Sequence, residues 1–402
     1  MLRLAVVAEQ ADGWSVEAEV LTADDGGMPN LSSMLEFRAR QGERTHEFNT
    51  VMVVPTGIDC AIGGHAGDAT AAARLLATVS DQVVVHPNVV NASDINEQPA
   101  NALYVEGSII SRLLMGSVAL RKVRKNRILF VTEPRDDGDW VIDQLTNTVG
   151  AARATLGVDC PELLVLNGQV SMLMEQSPAG RAVGEVSGLE ELLTVLQERR
   201  ATYDAVAIST MIAPAGNIED LFQQYFEGEG PNPWGGVEAA ITHSISNVLR
   251  VPSAHAPTLE DLALRTHHFG PTDPRKAAEA ISMAYSFCLM KGLHQSPAIV
   301  EHPNGAYDPS CLSAEDISCL VVPDGCIGLP TLAALWQGIP VIAVRENTNR
   351  MKNTLSRLPF ASGQLHVVES YLEAAGVIAA LKSGIHVDAL RRPLVATKVH
   401  RL

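Results

Sequence analysis

Aromatic residues are scarce: Phe, Trp and Tyr together make up 4% of the 402 residues. A core of any size must therefore be aliphatic, built from Val, Leu, Ile and Ala, as in sheets covered by helices. Charge is thin as well, at 19%, and lopsided: 46 acidic against 30 basic residues leave a net charge of −16. A surface of that sign excludes general nucleic-acid binding, which needs a basic footprint. The one basic cluster, LRKVRKNR over 120–127, reads as a solvated edge beside a strand. No apolar run reaches the ~18 residues of a membrane span. The N-terminus, MLRLAVVAEQADGW, lacks the long apolar centre and small-residue cleavage site of a secretory signal. Six cysteines (Cys60, Cys160, Cys288, Cys311, Cys319 and Cys326) include no CxxC pair and are too sparse for a disulfide scaffold. These absences lead us to expect a cytoplasmic protein with reduced thiols and no membrane partner.

What is present is 46% apolar residues, enough to bury more than one ordinary core. Short runs rich in Val and Ile recur at Leu2–Val7, Val51–Val54, Val83–Val85, Ala102–Val105, Ile128–Thr132, Leu163–Leu166, Ala205–Ser209, Ala298–Val300, Ser318–Val322, Val341–Val344 and His366–Val368. Several are apolar throughout, which suits strands buried on both faces. Ala- and Leu-rich stretches at helical spacing lie between them. The pattern predicts an α/β fold of Rossmann-like parallel sheets covered by helices, in two lobes with a cleft between them. The expected units are 1–125, 126–255, and a C-terminal segment 256–402 able to pack back on the first. Helix signals are legible: Asp68 as an N-cap, Pro330 in a first turn, Gly338 as a stop. A single long helix is expected from Asp273-Pro274 to Gly292.

Chemistry-bearing residues cluster at the expected strand ends. VVPTGIDCAIGGHAGDA (53–69) follows a strand and leads into a helix, the place where ligands bind in open α/β sheets. Its residues Thr56, Gly57, Gly63, Gly64, His65 and Asp68 are candidates for substrate binding, with backbone N–H groups and a helix N-terminus favouring an anion. Cys60 would gain thiolate character from the same field. VVVHPNVVNASDI offers His86 as a general acid or base, with Asn88 and Asn91 as polar contacts. Glu106 is a similar strand-end carboxylate. In NPWGGVEAAITHSISNVLRVPSAHAP, Glu238 and Thr242 share a helix face with His243 nearby, and His255 follows in a loop; the spacing is not HExxH. His65, Asp68 and His86 are conceivable metal ligands, but no spacing is diagnostic, so neither metal nor cofactor is expected.

VVPDGCIGLPTLAALWQGIPVIAVRENTNR (321–350) is strand, glycine turn, helix and strand. It resembles the nucleotide-binding stretch of non-hydrolysing sugar-nucleotide epimerases and related two-Rossmann glycosyltransferases. That resemblance implies site value for Asp324, Gly325, Cys326, Gly328, Glu346 and Asn347, although a cysteine stands in the turn here. VVPDG also echoes VVPTG, each followed by a cysteine, as an ancient duplication would leave. Taken together, VVPTGIDCAIGGHAGDA, HPNVVNASDINEQPANALYVEG, NPWGGVEA, FCLMKGLHQSP and VPDGCIGLPTLAAL resemble a bacterial and plastid-lineage family known only as a domain of unknown function. The likeness covers roughly residues 50 to 345. It implies that these segments meet in one place, and it carries no reaction.

The functional expectation is a cofactor-independent enzyme on a small anionic metabolite, its substrate a carboxylate. Cys60 and Cys326 would flank that substrate as acid and base, with His86, in the manner of two-cysteine racemases and epimerases. An isomerase or lyase fits that logic. A nucleotide or sugar-nucleotide enzyme, or a non-catalytic small-molecule binder, is the alternative. A homodimer is the default assembly.

Overall fold

A computed structural model describes residues 1–22, 33–65, 67–90, 95–134, 139–213, 217–258, 270–282, 284–301, 308 and 310–401. Asn91, one of the candidate polar contacts, lies outside them. Two parallel sheets form the frame. The larger has six strands in the order Leu365–Val368, Val341–Val344, Ile317–Pro323, Asn49–Met52, Gln82–Val85, Ala102–Tyr104. The smaller has four, in the order Ser253–Thr258, Ala205–Met211, Ile128–Thr132, Leu163–Val165. Every strand read from the sequence is formed, with ends shifted by a few residues. The α/β class with parallel sheets covered by helices therefore stands.

Burial on both faces explains the continuous apolar runs. Ile128 and Phe130 point into one apolar cluster, Leu129 and Val131 into another. The first cluster also contains Val51, Val84, Val321 and Ile342 of the larger sheet. One continuous interior thus joins the sheets. The centre of the larger sheet is the pairing of Asn49–Met52 with Ile317–Pro323, in register Val51 with Leu320 and Met52 with Val321. The two echoing segments, VVPTG and VVPDG, leave the sheet side by side from these strands.

Three sequence expectations change. The helix after the glycine-rich loop runs Thr70–Val79 and is preceded by Ala69 without a side-chain cap; Asp68 instead accepts from the N–H groups of Gly63 and His65. The long helix expected from Asp273 to Gly292 is two helices, Ala277–Ile281 and Tyr285–Leu293, with Ser282 extended between them. His255 lies on the strand Ser253–Thr258 rather than in a loop. The sequence pattern also missed short antiparallel pieces. One is the N-terminal hairpin Arg3–Gln10 with Gly13–Glu19, joined to Ile327–Gly328. Another is the hairpin of Ser171–Gln176 with Ala182–Ser187.

Candidate functional site

A cavity of about 250 Å³ opens among the carboxyl ends of the strands of both sheets. The N-termini of three helices form part of its wall: Gly107–Leu114, Gly235–Leu249 and Leu329–Gln337. Unpaired N–H groups and the helix dipoles give that wall a preference for negative charge. Across the opening lies the N-terminal strand, contributing Leu2 to Val6.

The most elaborate hydrogen-bonded group centres on His243, which is buried. Its Nδ1 meets Glu19 Oε1 at 2.8 Å and its Nε2 meets Glu106 Oε1 at 2.9 Å. Burial alone would lower its pKa, but the two carboxylates outweigh that and hold it at about 10. The imidazolium in turn keeps Glu106 and Glu19 below the usual carboxylate range despite their burial. Glu106 also caps the helix Gly107–Leu114, accepting from Ser108 N at 3.0 and 3.1 Å and from Ser108 Oγ. Asn247 Nδ2 donates to Ser108 Oγ at 2.7 Å and fixes that hydroxyl.

Two arginines line the same cavity. Arg181, 3% exposed, donates from Nη1 to Glu17 at 2.7 Å, while its Nε has no partner. Arg3 lies near Glu19, Glu17 and Glu106 in charge, and its guanidinium makes no hydrogen bond among the described residues; burial pulls its pKa below the ordinary arginine range. On the opposite side, Glu238 faces His255 Nδ1 at 3.2 Å, and His255 Nε2 pairs with Thr210 Oγ1 at 3.0 Å. Glu279 accepts from the Tyr225 hydroxyl at 2.7 Å. Burial raises the Glu279 carboxyl to about 7, with the charge of Glu238 adding to the shift and the bonds from Tyr225 and Asn232 opposing it.

Of the residues read from the sequence, Thr56, His86, Asn88, Glu106, Glu238 and Cys326 line this cavity. Thr242, His243, His255 and Gly328, singled out with them, line it too. His86 is neutral, its pKa brought to about 4 chiefly by burial, and its Nε2 accepts from Val54 N–H at 3.0 Å. That bond ties up the nitrogen a general base would use, and equally the one a metal would take. Among the described residues no group of three His, Cys, Asp or Glu side chains is placed to hold a metal ion. Asn88 donates to Val54 O at 2.8 Å.

The remaining candidates build the loops instead. Gly57 carries φ +76°, and a Cβ there would meet Ala182 O at 2.4 Å. A Cβ on Gly236 would meet the same carbonyl at 2.3 Å. Both glycines let the second hairpin press against the loop and the helix start. Gly63, Gly64, His65 and Asp68 bond or pack within their own turn or against Tyr225. Asn347 is fully buried, with bonds to Ile62 N, Ile62 O and the Tyr371 hydroxyl. Glu346 accepts from Tyr371 N, and Asp324 accepts from Gly325 N, where φ is +86°.

The paired-thiol expectation changes most. Cys60 and Cys326 lie side by side, so no substrate fits between them. Cys60 is 0% exposed and does not reach the cavity. Burial, with Cys326 beside it, pushes its thiol well above the ordinary value, opposite to the thiolate character expected from the helix field. Sequence reasoning missed Arg3, Arg181, Glu19 and Glu279. Arg3 and Glu19 sit on a hairpin with no motif, and Glu279 was hidden in the supposed long helix.

Residues 49–391 match the model of a family described as Protein of unknown function (DUF3326). The chain belongs to that family. Its DUF3326 span contains both echoing turns and the helix of His243, whereas Arg3 and Glu19 precede it. The chain is also 32% identical over 345 residues to an uncharacterized lipoprotein of Synechococcus sp., covering 85% of this chain and 92% of that relative. No solved structure matches. The lipoprotein name contradicts the cytoplasmic location expected from the sequence, and that expectation is withdrawn. It rested on missing apolar runs, and a lipid attached to a protein holds it at a membrane without any spanning segment. No helix among the described residues is long and apolar enough to cross a membrane.

Proposed function

We infer that this DUF3326 protein binds a small carboxylate metabolite in the cavity and acts on it by cofactor-independent acid–base chemistry, as an isomerase or lyase. One observation carries the reading: Arg3 is a half-buried cation that makes no hydrogen bond to any described residue while lining a cavity. A cation partly withdrawn from water and without hydrogen bonds has lost hydration, and a bidentate carboxylate makes up that loss. The three helix N-termini favour the same sign of ligand. A volume of about 250 Å³ suits a small metabolite better than a nucleotide sugar.

Proton transfer falls to Glu279 in this reading. A carboxyl near neutrality can both take and return a proton at the pH of the cell. The neutral Tyr225 hydroxyl and Asn232 orient it, and Glu238 and Lys276 are the charges around it. The Cys326 thiol lies in the cavity wall with Cys60 behind it, as a packing pair. Calorimetric titration of a panel of C3–C6 carboxylic acids tests the reading. Arg3→Gln is expected to weaken every binder at least ten-fold; equal affinity for both proteins refutes the assignment. Once a substrate is in hand, its kcat/KM, which reports the free protein, should show an inflection near pH 7 that Glu279→Gln removes.

A further inference from the structure

The cavity carries charges of both signs, and the groups that still lack a partner of opposite kind are separated along one helix. Gly235–Leu249 brings Glu238 to the cavity near its first turn and His243 five residues later, about 7.5 Å further along the axis. At the His243 end stand Arg3, without a hydrogen bond to any described residue, and Arg181, whose buried Nε has no partner among the described residues. The carboxylates at that end are satisfied: Glu17 holds Arg181, while Glu19 and Glu106 hold His243.

The Glu238 end has the opposite deficit. Glu238 and Glu279 are close enough to repel one another. Neither forms an ion pair with a lysine or arginine among the described residues. Glu238 has one nitrogen of His255, and Glu279 has a hydroxyl and an amide. Lys276, the nearest cation to Glu279, directs its Nζ to the carbonyls of Tyr225 and Gly228. Trp234 and Phe222 line the cavity at this end, and their rings, 5.0 Å apart, offer an aromatic face that a cation favours.

We propose that the ligand is an amino acid, its carboxylate held by Arg3 and its ammonium between Glu238 and Glu279. The assignment rests on the carboxylate reading above and narrows it. A second carboxylate at the Glu238 end would meet the charge of Glu238 and, once it ionises, that of Glu279, whereas an ammonium is matched to both. An α-amino acid or a short ω-amino acid supplies hydrogen-bond acceptors to Arg3 and a cation to the Glu238 end at once.

The test is a titration panel of the twenty L-amino acids with β-alanine and 4-aminobutyrate, each binder matched with its des-amino acid and its N-acetyl derivative. Binding of an amino acid at least ten-fold tighter than both matched compounds is expected. Glu279→Gln and Glu238→Gln should each weaken the amino acid about ten-fold and leave the des-amino acid unchanged. Arg3→Gln should weaken both. If des-amino acids bind as tightly as amino acids, or bind when no amino acid does, the ammonium assignment falls while the carboxylate reading survives. If no carboxylate binds and Arg3→Gln changes nothing, both fall. Unchanged melting temperatures for the two glutamine variants separate a local loss of binding from a folding defect.

Discussion

His243 concentrates the electrostatics of the site in one ring. Two carboxylates hold it charged in a place where burial alone would make it neutral. Its folded-state pKa, about 10, is above the ordinary value of about 6.5. The stabilisation is therefore complete below about pH 6.5 and is lost as pH rises through 10. His243→Ala leaves two buried carboxylates without their cation and is expected to cost about 3–5 kcal/mol at pH 7. Urea unfolding of both proteins between pH 6 and pH 10.5 checks this. The gap between wild type and variant should shrink towards the alkaline end, and a constant gap would show that His243 acts by shape alone. At Gly236 the constraint is space. A methyl group would come within 2.3 Å of Ala182 O, so Gly236→Ala should cost more than the ~1 kcal/mol of an ordinary unfavourable backbone change. A melting temperature within 1 °C of wild type would contradict that packing.

At the scale of elements, the cavity is assembled from ends rather than middles. Three helix N-termini and the carboxyl ends of parallel strands meet because each of these helices starts in chain that has left the carboxyl end of a parallel strand. The N-terminal hairpin is the exception. It reaches the site from outside the span shared with the DUF3326 family and is fastened by Arg181 to Glu17, His243 to Glu19 and Arg357 to Glu9. Charge-assisted bonds thus hold an element with modest apolar burial. In the double variant Glu17→Gln/Glu19→Gln, amide exchange over residues 3–19 should quicken at least ten-fold while exchange in the parallel sheets stays slow. Unchanged exchange in the hairpin would mean that its backbone pairing suffices to hold it.

Across the whole molecule, one apolar cluster spans both sheets. Its strands come from residues 49–104, 128–132, 205–211 and 317–368, so most long-range contacts must form together. Cooperative unfolding follows. A single calorimetric transition is expected, and two resolved transitions would divide the core. All six cysteines are buried and free. In the native protein none should react within minutes with a thiol reagent, and all should react after denaturation; rapid labelling of Cys326 through the cavity would reveal an opening larger than the one described.

Local sequence alone determined the parallel strands and the α/β class, because strands buried on both faces need unbroken Val and Ile and therefore write their position locally. Strand-end motifs pointed to one side of the sheets, and Glu106, Glu238, His86, Thr56, Asn88 and Cys326 line one cavity there. Tertiary structure decided which polar groups remain free to act. Asn347 and Asp68 look identical in sequence to ligand-binding residues, yet Asn347 is bound to the Ile62 backbone far along the chain and Asp68 to N–H groups of its own turn. Cys60 and Cys326 were read as opposed when they are adjacent, since nothing local encodes that their parent strands pair. Arg3 and Glu19 bear no motif at all. Their roles arise from a charge on one hairpin arriving beside a histidine more than two hundred residues away, and no pattern along a chain records the distance between groups that only folding brings together.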